Sequence, residues 1–259
     1  MRIGAHVDAT NPLEAAAERG ANVVQFFLGD PQGWKKPEPR DDADALRDSD
    51  VDIFIHAPYV INVASPNNRI RVPSRRLMVQ HAKAAAAIGA RGLIVHGGHV
   101  TKDTDISEGF SNWRKAMEYA AEQGATEVPI LVENTAGGAH ACARHFDNLA
   151  RLWERIGEFG PGFCLDTCHA HAAGEDLSDV VERARAITGG VNLVHANDSR
   201  DTFDSGRDRH ANLGDGHIDP SRIVDIIAAA GCPAVVETPG DAAAQSADIA
   251  LIRKQLPPA

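Results

Sequence analysis

Residues 92–134, GLIVHGGHVTKDTDISEGFSNWRKAMEYAAEQGATEVPILVEN, read as a strand, an amphipathic helix and a second strand. Residues 92–96 and 130–133 are short apolar runs, each closed by one polar side chain, as expected of strands buried on both faces of a parallel sheet. Between them, residues 109–123 form a helical stretch that Gly124 stops. Working outward, the unit repeats. Apolar runs recur at 3–7, 23–28, 53–56, 162–166, 191–197 and 234–237, which makes eight in all. Helical stretches alternate with them, for example at 12–19, 74–88, 146–156, 176–187 and 220–230, with Asn11-Pro12, Ser74 and Asp219-Pro220 as start signals. Eight strands alternating with helices predict an α/β fold, the (β/α)8 or TIM barrel. No linker or low-complexity tract interrupts the alternation, so residues 1–259 are expected to form a single domain.

Length and composition agree with a globular enzyme of that kind, with 259 residues, 43% of them hydrophobic and 24% charged. The beginning of the chain lacks a basic segment followed by an apolar run, and no stretch approaches the ~18 apolar residues of a membrane span. A cytoplasmic, monomeric protein with no membrane partner is the expectation. Four cysteines (Cys142, Cys164, Cys168, Cys232) are too few for a disulfide framework and lack zinc-knuckle spacing, so they are read as buried free thiols. The formal net charge of −10 argues against a wholly basic nucleic-acid-binding surface. Its distribution matters more. From Val60 to Lys83 there is no acidic residue, whereas Arg69, Arg71, Arg75, Arg76 and Lys83 all fall there, a strip suited to phosphate or simply to solvent.

The apolar runs end at His6, Gln25, His56, His96, Glu133, Asp166, His195 and Glu237. A barrel gathers the C-terminal ends of its strands at one mouth. Any single histidine or glutamate there is readily structural. Taken together, the three histidines at 56, 96 and 195 and the carboxylates at 133, 166 and 237 are six metal-ligand types at one face. Uncompensated burial of those carboxylates would cost several kcal/mol each, and cations are the natural compensation. His169, one turn beyond Asp166, and Asp208-Arg-His210, in a Gly-rich loop, bring the candidate ligands to nine. Imidazole and carboxylate without thiolate suit zinc, with manganese as second choice. Four carboxylates with three Zn2+ leave a site of about +2, attractive to a phosphodiester. Such clusters activate water and polarise phosphoryl oxygens.

Six segments resemble the endonuclease IV family of apurinic/apyrimidinic endonucleases: His56-Ala-Pro-Tyr-Val-Ile-Asn62, Glu133-Asn-Thr-Ala-Gly-Gly138, Cys164-Leu-Asp-Thr-Cys-His169, His195-Ala-Asn-Asp-Ser199, residues 208–216 (DRHANLGDG) and Glu237-Thr-Pro239. They follow the family's order and cover almost the whole chain. The resemblance implies a xylose-isomerase-like barrel with three zinc ions. His56 and His96 would hold one. Glu133 would bridge it to a second, held also by Asp166, His195 and Glu237. His169, Asp208 and His210 would hold the third. It implies duplex DNA as partner and hydrolysis 5′ to abasic sites, leaving a 3′-hydroxyl and a 5′-deoxyribose phosphate, together with cleaning of blocked 3′ ends. Glu133 or Glu237 would orient or deprotonate the attacking water. Tyr59 and Val60 match one loop that enters the DNA, and residues 30–34, with Gln32 and Trp34, match another. Gln32 stands where the family usually has Arg, which shifts intercalation toward Tyr59. Arg69 and Arg71 are the expected phosphate contacts. Gly97 replaces the Pro more usual after His96, and His99 and His6 are read as neighbours of the ligands or of DNA. The other histidines (81, 140, 145, 171 and 217) are read as surface or structural.

Two rivals frame this reading. A metal-dependent sugar isomerase or epimerase on the same barrel would not need the set His169, Asp208 and His210. A non-catalytic DNA-damage binder would not need to keep all nine ligands.

Overall fold

The structure is a computed structural model that describes residues 1–257. In chain order its elements are β1 (Ile3–His6), α1 (Pro12–Glu18), β2 (Val23–Phe27), α2 (Ala43–Asp48), β3 (Asp52–His56), α3 (Asn68–Ala87), β4 (Gly92–His96), α4 (Ile106–Glu122), β5 (Ile130–Glu133), α5 (Phe146–Ile156), β6 (Gly162–Asp166), α6 (Thr167–Ala173), α7 (Val180–Thr188), β7 (Leu193–His195), β8 (Asp198–Ser199), β9 (His210–Ala211), α8 (Pro220–Ala230), β10 (Ala234–Val236) and α9 (Ala242–Gln255). Eight strands close a parallel barrel in the order β1, β10, β7, β6, β5, β4, β3, β2. The fold is a TIM barrel. The short β8 and β9 form a separate antiparallel pair within the segment after β7.

The barrel has two apolar compartments. The larger lies between the strands and the surrounding helices and takes the amphipathic faces of α4 and α5, including Phe110, Trp113, Leu149 and Leu152. The smaller fills the barrel itself with Val23, Phe54, Ile94, Leu131, Cys164, Leu193 and Val235. Side chains along a strand alternate between faces, so the residue two places further on also points inward, one layer nearer the mouth. Those residues are Gln25, His56, His96, Glu133, Asp166, His195 and Glu237. Strand register sets them side by side, pairing His96 with Glu133 and Asp166 with His195. The apolar plug is therefore the floor of the polar layer.

Some boundaries differ from the sequence reading. Ser74 is not a helix start: α3 begins at Asn68, capped by Asn67, and carries Pro73 within it. Pro73 lies in the second turn, and the helix continues through it. The arginine strip thus occupies the N-terminal half of α3. The run at 191–197 is a strand only at Leu193–His195; beyond it the Asn197 backbone N–H donates to Thr167 Oγ1 at 2.9 Å instead of to a neighbouring strand. Cys142, Cys164 and Cys168 are buried, whereas Cys232 is only half-buried. Among the described residues no helix is long and apolar enough to cross a membrane.

Candidate metal centre

All nine sequence-selected candidate ligands meet at the mouth. They form three sets: His56, His96 and Glu133; Glu133, Asp166, His195 and Glu237; and His169, Asp208 and His210. Within each set the donor atoms lie within 4.8 Å of one another, and Glu133 belongs to two of the sets. Glu133 Oε2 stands 3.3 Å from His56 Nε2 and 3.2 Å from His96 Nε2. Its Oε1 stands 2.9 Å from His195 Nδ1, which is 3.3 Å from Glu237 Oε2 and 3.8 Å from Asp166 Oδ2. In the third set Asp208 Oδ1 lies 3.1 Å from His169 Nε2 and 3.2 Å from His210 Nε2.

Several observations fit divalent cations. Donors placed ~2.1 Å from a tetrahedral zinc are about 3.4 Å apart, close to most of the separations above. His169 Nε2 and His210 Nε2 are buried and have no hydrogen-bond partner, although both aim at Asp208. In four of the five histidines of the sets, all but His96, the opposite nitrogen is tied down. His56 Nδ1 donates to Ala57 O at 2.7 Å and His169 Nδ1 to Asn134 O at 2.9 Å. His210 Nδ1 donates to Glu237 O at 3.3 Å and His195 Nε2 to Gln25 Oε1 at 2.7 Å. A ring whose far nitrogen carries the proton turns a free lone pair inward, as a metal ligand must.

The electrostatics point the same way. Burial pushes His56 below its usual value. Burial also penalises the Glu133 carboxylate, but His195 and His96 outweigh it and hold the group well below the usual range. Burial disfavours charge on His169, yet Asp166 and Asp208 raise it well above the imidazole range. His210, buried but facing Asp208 and Asp166, rises to about 9. The carboxylates thus draw positive charge onto His169 and His210, whereas burial disfavours it on His56. The Cys168 thiol comes near Asp166 and His210. Burial pushes it up to about 12.

The third set depends on the segment between β7 and α8. Buried Asp198 accepts from the backbone N–H groups of Ser199, Gly214, Gly216 and Ile218 at 2.7, 3.1, 2.9 and 2.8 Å. Asp201 pairs with Arg209, which precedes His210. A Cβ on Gly137 would stand 2.2 Å from Gly206 O, so only glycine lets the loop after β5 brace this segment. Asn134, Thr167, Asn197 and Asp198 were not singled out from sequence. Each lies one to three residues beyond a ligand, inside the matched segments, and that adjacency was the available signal.

The other sequence-selected residues lie outside the sets. Tyr59 is 49% exposed, with its ring 5.5 Å from those of His56 and His96. Its backbone N–H donates to Pro31 O at 2.8 Å, which ties its loop to the one bearing Gln32 and Trp34. Trp34 is 47% exposed and shares a groove with Arg69, Pro73, Arg76, Leu77 and Gln80. Val60 is half-buried and Gln32 exposed. Arg71 donates to Ser65 O and Pro66 O at 2.9 and 3.0 Å, and Arg75 lies over the Tyr119 ring. His6 Nδ1 meets Gln25, and the His99 carbonyl accepts from Asn62.

A family model described as xylose isomerase-like TIM barrel matches residues 13–255. "Probable endonuclease 4" of Mycobacterium bovis (strain BCG / Pasteur 1173P2) is 56% identical over 255 residues, covering 98% of this chain and 99% of that protein. Its counterpart in Mycobacterium leprae (strain Br4923) is 54% identical over 255 residues, with the same coverage. The crystal structure of endonuclease IV from Thermus thermophilus superposes with a TM-score of 0.84 at 26% identity, covering 98% of each chain. A D-tagatose 3-epimerase-like protein superposes with a TM-score of 0.83 at 18% identity over 98% of this chain and 97% of that one, a likeness of fold alone. The chain belongs to the endonuclease IV family, on the xylose isomerase-like TIM barrel.

Proposed function

We propose that this protein is a DNA-repair endonuclease. It hydrolyses the phosphodiester 5′ to abasic sites in duplex DNA with three zinc ions, and it also clears blocked 3′ ends. The observation that carries this reading is the sharing of Glu133 between two ligand sets, with the third set adjoining them. A sugar isomerase with one metal ion has no use for His169, Asp208 and His210. The endonuclease names of relatives that match over almost their whole length support the same reading.

When bound, the cations would activate water at neutral pH and neutralise the phosphate and the departing oxygen. Manganese is the second choice. In the reaction water adds to phosphorus and the P–O3′ bond breaks. This leaves a 3′-hydroxyl upstream and a 5′-deoxyribose phosphate at the lesion. The protein's own part is positional. Glu133 turns its two oxygens to opposite sides and fixes the spacing of the first two sets. Glu237 has one oxygen held by Gln25 and the other near His195, so its carboxylate is fixed beside the second set, where it or Glu133 would orient the attacking water.

Lesion choice rests on the rim. An abasic sugar lacks stacking on one strand and is extruded at less cost than an intact nucleotide. Exposed Tyr59, with Val60 beside it, fills the gap that remains. Partial burial and the Glu237 and Glu133 charges push the Tyr59 phenol up to about 12, so it stays neutral. The neighbouring loop presents Gln32 and Trp34. Arg69, together with Arg76, binds phosphate, whereas Arg71 is largely engaged by its own loop carbonyls.

The test is incision of an oligonucleotide duplex with one abasic site. Zinc-replete protein should give one cut 5′ to the lesion, abolished by chelation and restored by zinc. Turnover of a ketose without nicking would contradict the proposal, as would tight binding of abasic DNA without cleavage.

A further inference from the structure

Gln25 lies on β2 inside the barrel and is fully buried, at 0% exposure. An apolar side chain would fill such a position, as Val23 does one layer below. The amide instead makes three short contacts. Its Oε1 accepts from His195 Nε2 at 2.7 Å. Its Nε2 donates to Glu237 Oε1 at 2.7 Å and to His6 Nδ1 at 2.9 Å. The carboxylate decides which way the amide faces. Reversed, it would set a carbonyl oxygen 2.7 Å from a carboxylate oxygen and leave both without a proton.

This orientation has two consequences for the second ligand set. An oxygen at His195 Nε2 requires that nitrogen to carry the proton, so the lone pair is on Nδ1. That atom faces Glu133 Oε1 at 2.9 Å and Glu237 Oε2 at 3.3 Å. With Glu237 Oε1 tied to the amide at 2.7 Å, Oε2, which takes only a longer 3.3 Å contact from Asn197 Nδ2, is the oxygen that faces the same point. We infer that Gln25 is the positioning residue of the second cation site, selecting the donor atom of both His195 and Glu237, two of its four ligands. His6 completes the chain by accepting the second amide proton. The inference rests on the cation-cluster reading and extends it to a residue outside the nine ligands.

Cadmium-113 NMR of the cadmium-loaded protein tests it, because each occupied set gives its own resonance. Gln25→Leu should shift one resonance, the one that disappears in His195→Ala, and leave the others in place. A chelator should remove that ion from Gln25→Leu at concentrations about 10–100-fold lower than from the unaltered protein. Gln25→Glu keeps an acceptor for His195 but sets a carboxylate against Glu237, so it should perturb the same resonance. It carries the test alone if the leucine variant does not fold. Unmoved resonances with unaltered affinity in the folded variants would overturn the inference. Joint movement of every resonance would also overturn it, since general loosening has that effect. An unaltered protein that binds no cadmium would contradict the cation cluster itself.

Discussion

Glu133 is one buried carboxylate serving two neighbourhoods, with Oε2 toward His56 and His96 and Oε1 toward His195. Alanine there removes a ligand from two sets at once. Incision should therefore fall by more than the ~100-fold that loss of a residue behind the ligands can cost. Steady-state nicking of abasic duplex checks this, and near-normal incision by Glu133→Ala would contradict the bridging role. A different histidine shows what burial does without a partner. His81 on α3 is buried, neither ring nitrogen has a hydrogen bond, and burial pushes it down to about 4. The unfolded chain, near ~6.5, takes up a proton that the folded chain refuses. As pH falls from ~6.5 to ~4 the fold should lose about 3 kcal/mol through this group, with no further loss below. His81→Leu should flatten that part of the profile. The measurement is the fall in melting temperature between pH 7 and pH 4.5, compared in the two proteins because both shed cations in acid. Equal falls would contradict the assignment.

At the scale of elements, the strands were legible because each is a short apolar run closed by a polar residue, and the two-residue repeat already carried the site. Plug residue and ligand are neighbours in that repeat, as with Leu131 and Glu133 or Leu193 and His195. What was illegible depended on distant partners. The sequence reading does not single out α9, because its buried face includes Gln245 and Asp248. Their partners are Arg19, Asn212 and Thr238. The β8–β9 pair was illegible for the same reason. It is organised around Asp198, whose four N–H donors lie up to 20 residues away. Asp198→Ala should leave those donors without an acceptor and lower stability by at least about 2 kcal/mol. Because the segment carries Asp208 and His210, the proposed three-cation site predicts that the same variant also loses the third cation. Denaturant unfolding and metal analysis together check this. A destabilised variant with unchanged metal content would separate the loop's order from the site.

At the scale of the molecule, a net charge of −10 leaves DNA binding to local features. The groove beside Trp34 gathers Arg69 and Arg76 next to the loop tied to Tyr59. Replacing both arginines with alanine should weaken binding to abasic duplex and reduce the slope of log affinity against log salt by about 0.9 for each phosphate no longer neutralised. An unchanged slope would remove the groove from the DNA path. The barrel matters because it alone joins residues from position 56 to position 237 into one layer above a common apolar floor. The most direct measurement of whether that layer is a working cation cluster is incision rate against ions bound per chain, as stripped protein is reloaded with zinc. A three-ion cluster predicts no incision with one ion and full incision only as the third binds. Full incision at one ion per chain, or in fully stripped protein, would contradict it.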